Sequence, residues 1–219
     1  MPHTLRPPSA ARKSANMLGA ADADGSPGRV VGICQTSGVC EGAVPVLGQC
    51  FDPAQVSAGL RQEVIECWIT VSNAGGAAGF PFPPVNASIV APVADELIAG
   101  LSPDRSRLLV ALAGDALAGW VHLHRHPDPP VAHWGTISHL QTLPAVRGRG
   151  IGSALMVRAR RVARQEMGLE QLRLAVRGGM GLESFYARLG WRETGRWPGA
   201  LRLAPGDDRD EVLTVLSPL

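Results

Sequence analysis

The chain has one lysine, Lys13, and one tyrosine, Tyr186, among 219 residues. Nearly all the positive charge is therefore arginine, and its balance against Asp and Glu is only +2. A chain so close to neutral has no global basic field to draw in DNA or RNA. Cysteine is scarce as well. Cys34, Cys40, Cys50 and Cys67 lie in the first third with no Cys-x-x-Cys pair, so no zinc site follows from them. No apolar run approaches the about 20 residues that cross a bilayer, and the first residues lack the continuous apolar segment of a secretory signal. The expectation is a reduced, cytoplasmic protein with no nucleic-acid or membrane partner and no metal.

An apolar content of 45% in a chain of this size supports one domain with a sizeable core. Residues 1–41 are rich in Pro, Gly, Ala and Ser without a clear period and read as a flexible extension. The domain is expected over 42–219. Its first strand falls near Ala43 to Gln49, after which Asp52 caps a helix with Pro53 in its first turn. Val56, Leu60, Val64 and Trp68 fall on one stripe of that helix. A Gly/Pro loop, Gly75 to Pro84, is long enough to shape a pocket. A second helix spans Ser88 to Ala99. Leu108–Leu112 and Leu117–Leu123 form a hairpin, and Trp134 to Leu143 is a long central strand. A helix from Ile151 to Met167 buries Ile151, Leu155, Ala159, Val162 and Ala163. Two further strands lie near Trp191 to Arg196 and Glu211 to Leu216. Hairpins mixed with crossovers argue an α/β (α+β) fold around a mixed sheet.

The densest chemical signal is Arg147-Gly148-Arg149-Gly150-Ile151-Gly152. It follows the central strand and opens a helix. Glycines let the backbone approach an anion, and the first turn of a helix offers free N–H groups at the positive end of its dipole. A Walker A loop would need a lysine that is not there, and a dinucleotide fingerprint would need a different glycine spacing and a downstream acid. Arg147, Gly150 and Gly152 resemble instead the Gln/Arg-x-x-Gly-x-Gly/Ala loop of the GNAT acetyltransferase superfamily. Downstream, Leu182-Glu183-Ser184-Phe185-Tyr186-Ala187-Arg188-Leu189-Gly190-Trp191 is similar to that family's second motif, a helix carrying Phe-Tyr and ending in Leu-Gly-aromatic. Phe185 and Leu189 share a helix face, and Gly190 suits a helix stop. A narrower likeness, to the tabtoxin-resistance type, rests on Ser72 to Phe80, Trp197-Pro198-Gly199 and Asp210 to Leu216.

The resemblance implies a GNAT fold: a central mixed, mostly antiparallel twisted sheet of about six or seven strands flanked by about four helices. It implies acetyl-CoA as co-substrate and a small-molecule amine as acceptor, an antibiotic or toxin among the candidates. The main chain of Leu140, Gln141, Thr142 and Leu143 would contact pantetheine, and amides near Thr142 and Leu143 would stabilise the oxyanion. Arg147, Gly148, Arg149, Gly150, Ile151, Gly152 and Ser153 would clasp the diphosphate. It leaves room for a homodimer.

Tyr186 stands at the family's position for a general acid, and a phenol is still protonated at neutral pH. The proton acceptor stays open. Thr136 occupies the position where many family members carry a carboxylate on the central strand, and Ala175 the matching position on the next strand. His139, Glu183, or a water chain with no dedicated base are the alternatives. His122, His124 and His126 alternate on one strand face. They read as a half-exposed face, as lining of the acceptor pocket, or as metal ligands without an evident partner. The missing carboxylate at Thr136 also admits a catalytically inactive acyl-CoA-binding regulatory module, and an open acidic groove would point to a protein or peptide acceptor.

Overall fold

The computed structural model describes residues 45–76, 79–80 and 83–219. The extension expected over 1–41, together with Cys34 and Cys40, lies outside the described residues. The described chain forms one seven-stranded sheet in the order β1-β2-β3-β4-β5-β7-β6. Its strands are β1 (Val46–Cys50), β2 (Ser106–Ala113), β3 (Ala116–Arg125), β4 (Trp134–Thr142), β5 (Gln171–Arg177), β6 (Arg192–Ala204) and β7 (Asp207–Leu216). All neighbours are antiparallel except β4 and β5. Four α-helices accompany them: α1 (Ala58–Asn73), α2 (Ala87–Ala99), α3 (Ile151–Arg161) and α4 (Leu182–Arg188).

The two sheet faces bury separate cores. Leu60, Val64 and Trp68 of α1 and Val90 and Ala94 of α2 pack on Leu108, Val110 and Trp120. On the other face Ile151, Leu155 and Ala159 of α3 and Tyr186 of α4 pack on Leu109, Val121, Leu123, Leu172 and Val212. Alternation along β2 and β3 feeds both cores at once, which is why these central strands are apolar without a break over Leu108–Ala113 and carry no polar side chain over Ala116–Val121.

Three expectations shift. Asp52 caps a short 3-10 turn, Pro53–Gln55, by accepting from Ala54 N–H at 2.8 Å. The α-helix restarts at Ala58 under a new cap, Ser57 Oγ, which accepts from Leu60 N–H at 3.1 Å. The helix expected to run to Met167 leaves α geometry at Val162, where a π-turn (Val162–Glu166) carries it to Gly168, φ 63°. Finally, β6 does not stop at Arg196. It passes Trp197-Pro198-Gly199 through a bulge, and the Asp210 carboxylate accepts from Gly199 N–H at 3.0 Å and from Arg196 at 3.2 Å. The extra residues are absorbed by that bulge, so the hairpin with β7 is much longer than a Pro-Gly pair suggests.

Candidate active site

Only Trp134, Gly135 and Thr136 of β4 are paired with β5, opposite Gln171, Leu172 and Arg173. Past that point β4 continues along β3, whereas β5 continues along β7. The two strands part, and a cavity of about 1100 Å3 lies along the split. At one end it reaches the loop before α3, and at the other Ala200–Leu203 of β6.

At the loop end, Gly148 and Gly150 hold left-handed φ of 78° and 80°. A Cβ at either would meet nothing within 4 Å, so glycine is required there by backbone conformation and not by crowding. Gly150 caps α3 with no side-chain oxygen, which leaves the first-turn amides of Ile151, Gly152 and Ser153 without a side-chain cap where they border the cavity. At Gly152 a Cβ would sit 3.5 Å from Phe185 and 3.6 Å from Thr142 Oγ1. Arg147 Nε donates to Thr142 O at 3.3 Å, which ties the loop to the end of β4. Arg149 is exposed and is not part of the cavity wall. Leu140, Gln141 and Thr142 line the cavity, Gln141 with its side chain fully buried. Leu143 does not line it: its N–H donates to Ala118 O at 3.0 Å. That amide is therefore unavailable as an oxyanion donor, contrary to the sequence expectation.

His139 sits at an irregularity in β4. The pairs Trp120–Gln141 and His122–Ser138 leave one extra residue on β4 between them. Among the described residues His139 alone of the non-glycines has a positive φ, 55°. This strain, about 1 kcal/mol, turns the ring onto Trp68 at 4.7 Å and toward Trp120 at 6.2 Å. Gly79 comes so close that a Cβ there would lie 3.3 Å from the ring. Burial pulls the His139 pKa down to about 4, helped by the nearby His124. The imidazole is neutral at neutral pH and lines the cavity.

Tyr186 lines the same cavity from α4. Its ring meets Phe185 at 5.0 Å and Trp191 at 6.0 Å, both edge-on. Burial pushes the phenol up to about 12, so it keeps its proton. Glu183 is directed elsewhere. Its carboxylate accepts from Gly179 N–H at 3.0 Å, backbone hydrogen bonds hold its pKa below the usual range, and it is no part of the cavity wall. As a candidate base it is thus misplaced: its work is to cap the turn before α4.

The alternating histidines also stand outside the cavity. Ser106 Oγ and Ser138 Oγ lie 2.8 and 3.0 Å from the two ring nitrogens of His122. Burial pulls its pKa to about 3, and His124 stacks on it at 5.1 Å. His126 lies against Trp134 at the strand end. Among the described residues no three His, Cys, Asp or Glu gather as metal ligands.

Thr136 and Ala175 do line the split, and neither can take a proton. The wall holds one carboxylate that the sequence reading missed, Glu211 of β7. The signal was an alternation from Glu211 to Leu216 in which Val212, Thr214 and Leu216 are buried. Both parities there are largely apolar, so the sequence could not tell which set faces the core.

Comparison with known proteins agrees with this architecture. The Acetyltransferase (GNAT) family profile matches residues 79–191. No curated protein sequence matches the chain. Among solved structures, a GCN5-related N-acetyltransferase from Kribbella flavida is 22% identical, with a TM-score of 0.64, over 79% of this chain and 98% of that one. A protein provisionally named a phosphinothricin N-acetyltransferase is 19% identical, with a TM-score of 0.65, over 78% and 98%. An acetyltransferase so assigned from Salmonella typhimurium, solved with its cofactor acetyl-CoA, is 17% identical, with a TM-score of 0.57, over 78% and 93%. At these identities the likeness is one of fold.

Proposed function

The chain belongs to the GNAT acetyltransferase family, and from that premise we propose that it transfers an acetyl group from acetyl-CoA to a primary amine of a small molecule, by direct attack in a ternary complex. One observation carries the reading. A single cavity joins the left-handed glycine loop at the start of α3, the parted edge of β4 and the phenol of Tyr186.

The residues present suit the co-substrate. Gly148 and Gly150 bare the loop backbone, and the uncapped first turn of α3 presents N–H groups to a diphosphate. Leu140 to Thr142 offer the unpaired edge of β4 to an amide-bearing arm. The thioester supplies the acyl group. Tyr186 holds a proton at its phenolic oxygen and gives it to the departing sulfur as the C–S bond breaks and the C–N bond forms, and the proton that the acylated nitrogen then sheds returns to the phenolate through solvent. Neutral His139 accepts a hydrogen bond from the attacking amine and aims its lone pair. With a pKa of about 4 it is too weak a base to strip an ammonium by itself, so amines of low pKa are the better acceptors. Amine-bearing antibiotics and toxins fall within this class. Such chemistry suits the reduced interior of a cell, and a homodimer is compatible with it.

A second reading, an acyl-CoA-binding module without turnover, is favoured by the absence of any carboxylate at Thr136 or Ala175. Calorimetry with coenzyme A and a thiol-release assay over an amine panel separate the two. Binding with thiol release supports acetyl transfer. Binding without release supports the module. No heat with coenzyme A removes both.

A further inference from the structure

The acceptor end of the cavity carries two unpaired opposite charges. Arg177 of β5 and Glu211 of β7 are Cα partners across an antiparallel pair, and both line the cavity. Their neighbours Val176 and Val212 are buried in the core that also holds Tyr186. Arg177 and Glu211 therefore share the opposite face, the one that also carries Thr136, Ser138 and Ala175.

Residues so placed ordinarily form an ion pair, yet none joins these two. The contrast with the rest of the hairpin is sharp. From Glu193 to Asp210 every charged residue is paired: Arg196 with Glu193 and Asp210, Arg202 with Asp208, and Arg209 with Asp207. Glu211, the next in sequence, has no ion pair among the described residues, and neither has Arg177, whose Nε is buried without a hydrogen-bond partner. A half-buried guanidinium and a half-buried carboxylate left open beside each other are arranged for a ligand that carries both complements.

The charge of the wall points the same way. Its charged side chains are Arg147, Arg177, Arg188, Arg202 and Glu211. Arg147 is at the glycine-loop end and Arg202 is neutralised by Asp208. At the β5–β7 end Arg177 and Glu211 remain, one charge of each sign. A polycationic amine would meet like charge there, whereas a molecule with an acidic group beside its amine would not.

Resting on the acetyltransferase reading above, we infer that the acceptor is a zwitterion: Arg177 binds its acidic group and Glu211 binds an ammonium. Amino-acid-like molecules fit, and polyamines and aminoglycosides do not.

The test compares acid, amide and decarboxylated forms of two acceptors, with kcat/KM expressed per neutral amine because the three forms differ in amine pKa: lysine, lysinamide and 1,5-diaminopentane, and methionine, methioninamide and 3-(methylthio)propylamine. With the wild-type chain, kcat/KM should favour the acid over its amide by on the order of thirtyfold, the worth of one charge-assisted hydrogen bond. In Arg177→Gln that preference should collapse through KM while coenzyme A affinity stays the same, and Arg177→Lys should restore part of it. Glu211→Gln should weaken the acids equally in both series. Equal rates for acid and amide, a preference for the diamine, or a preference that survives Arg177→Gln overturns the inference and leaves acetyl transfer standing. Coenzyme A binding with no release from any of the six overturns the inference, and the wider amine panel then decides between acetyl transfer and the binding module.

Discussion

Thr136 of β4 stands opposite Arg173 of β5, and that pair is the last rung of the parallel ladder. Everything that makes the site follows from the ladder ending there. The backbone groups on the free edge of β4 need partners, since polar main chain is costly to leave unsatisfied. An extended ligand arm laid into the split can supply them. The residues after the split then face a cavity and not a neighbouring strand.

Because β4 loses β5, its hold on β3 matters more. Gly119 lets the two strands close up. A Cβ there would lie 2.6 Å from Gln141 O and 3.3 Å from Thr142 Cα, and backbone cannot swing aside as a side-chain tip can. We expect Gly119→Ala to cost about 1 to 3 kcal/mol, typical of overpacking. A thermal melt should show a fall of several degrees. An unchanged melt would mean that β3 and β4 are not held this closely.

Gly150 offers a cleaner dissection, because a Cβ there meets nothing. Gly150→Ala bears only the cost of a left-handed residue, about 1 to 2 kcal/mol. Any loss of coenzyme A affinity in folded protein then reports the altered N–H geometry at the start of α3. We expect a drop of tenfold or more by titration calorimetry. Unaltered affinity would place the diphosphate elsewhere.

Tyr186 holds its proton up to about pH 12. Tyr186→Phe keeps the ring packing against Phe185 and Trp191 and removes only the hydroxyl. Turnover should fall by about a hundredfold, the lower range for a positioned acid, while coenzyme A affinity stays the same. In the wild type no alkaline loss of kcat from this group is expected below pH 10. Equal kcat in the variant would show that the leaving sulfur takes its proton from another source.

The two glycine-aromatic motifs were legible because their chemistry is local. Left-handed glycines at 148, 150 and 190 and a helix start that follows them leave marks within a few residues. The strands were legible as existing, less so in extent: β6 runs through a Pro-Gly bulge whose stabilising carboxylate, Asp210, is contributed by the opposite strand. The fate of Glu183 and Glu211 was not legible at all. One carboxylate is drawn to the Gly179 amide and the other faces the cavity. Both outcomes depend on which parity of a strand or which turn of a helix meets the core. His139 was found for its residue type, but its left-handed backbone and its place against Trp68 come from a register slip between β3 and β4.

That buried histidine, with His122, gives the fold a defined acid sensitivity. Both have an ordinary pKa of 6.5, and in the folded chain His139 is held at about 4 and His122 at about 3. His124 is also lowered, by burial. Below about pH 6.5 the unfolded chain binds protons at these rings that the folded chain refuses. The stability they contribute is complete above that pH, and it is lost as pH falls through 4 and then 3. Glu63, raised by burial, opposes this, since it takes up a proton more readily when folded. Unfolding free energies from urea titrations at pH 7.5 and pH 5.0 should differ by about 1 to 2 kcal/mol for each of the two histidines, with the midpoint lower at pH 5.0. His122→Gln keeps hydrogen bonding toward Ser106 and Ser138 but cannot titrate, so its midpoint should change less between the two pH values. A wild-type midpoint that is flat across that interval would mean that these rings charge freely inside the fold, and that His139 is not the neutral group the proposed acetyl transfer uses.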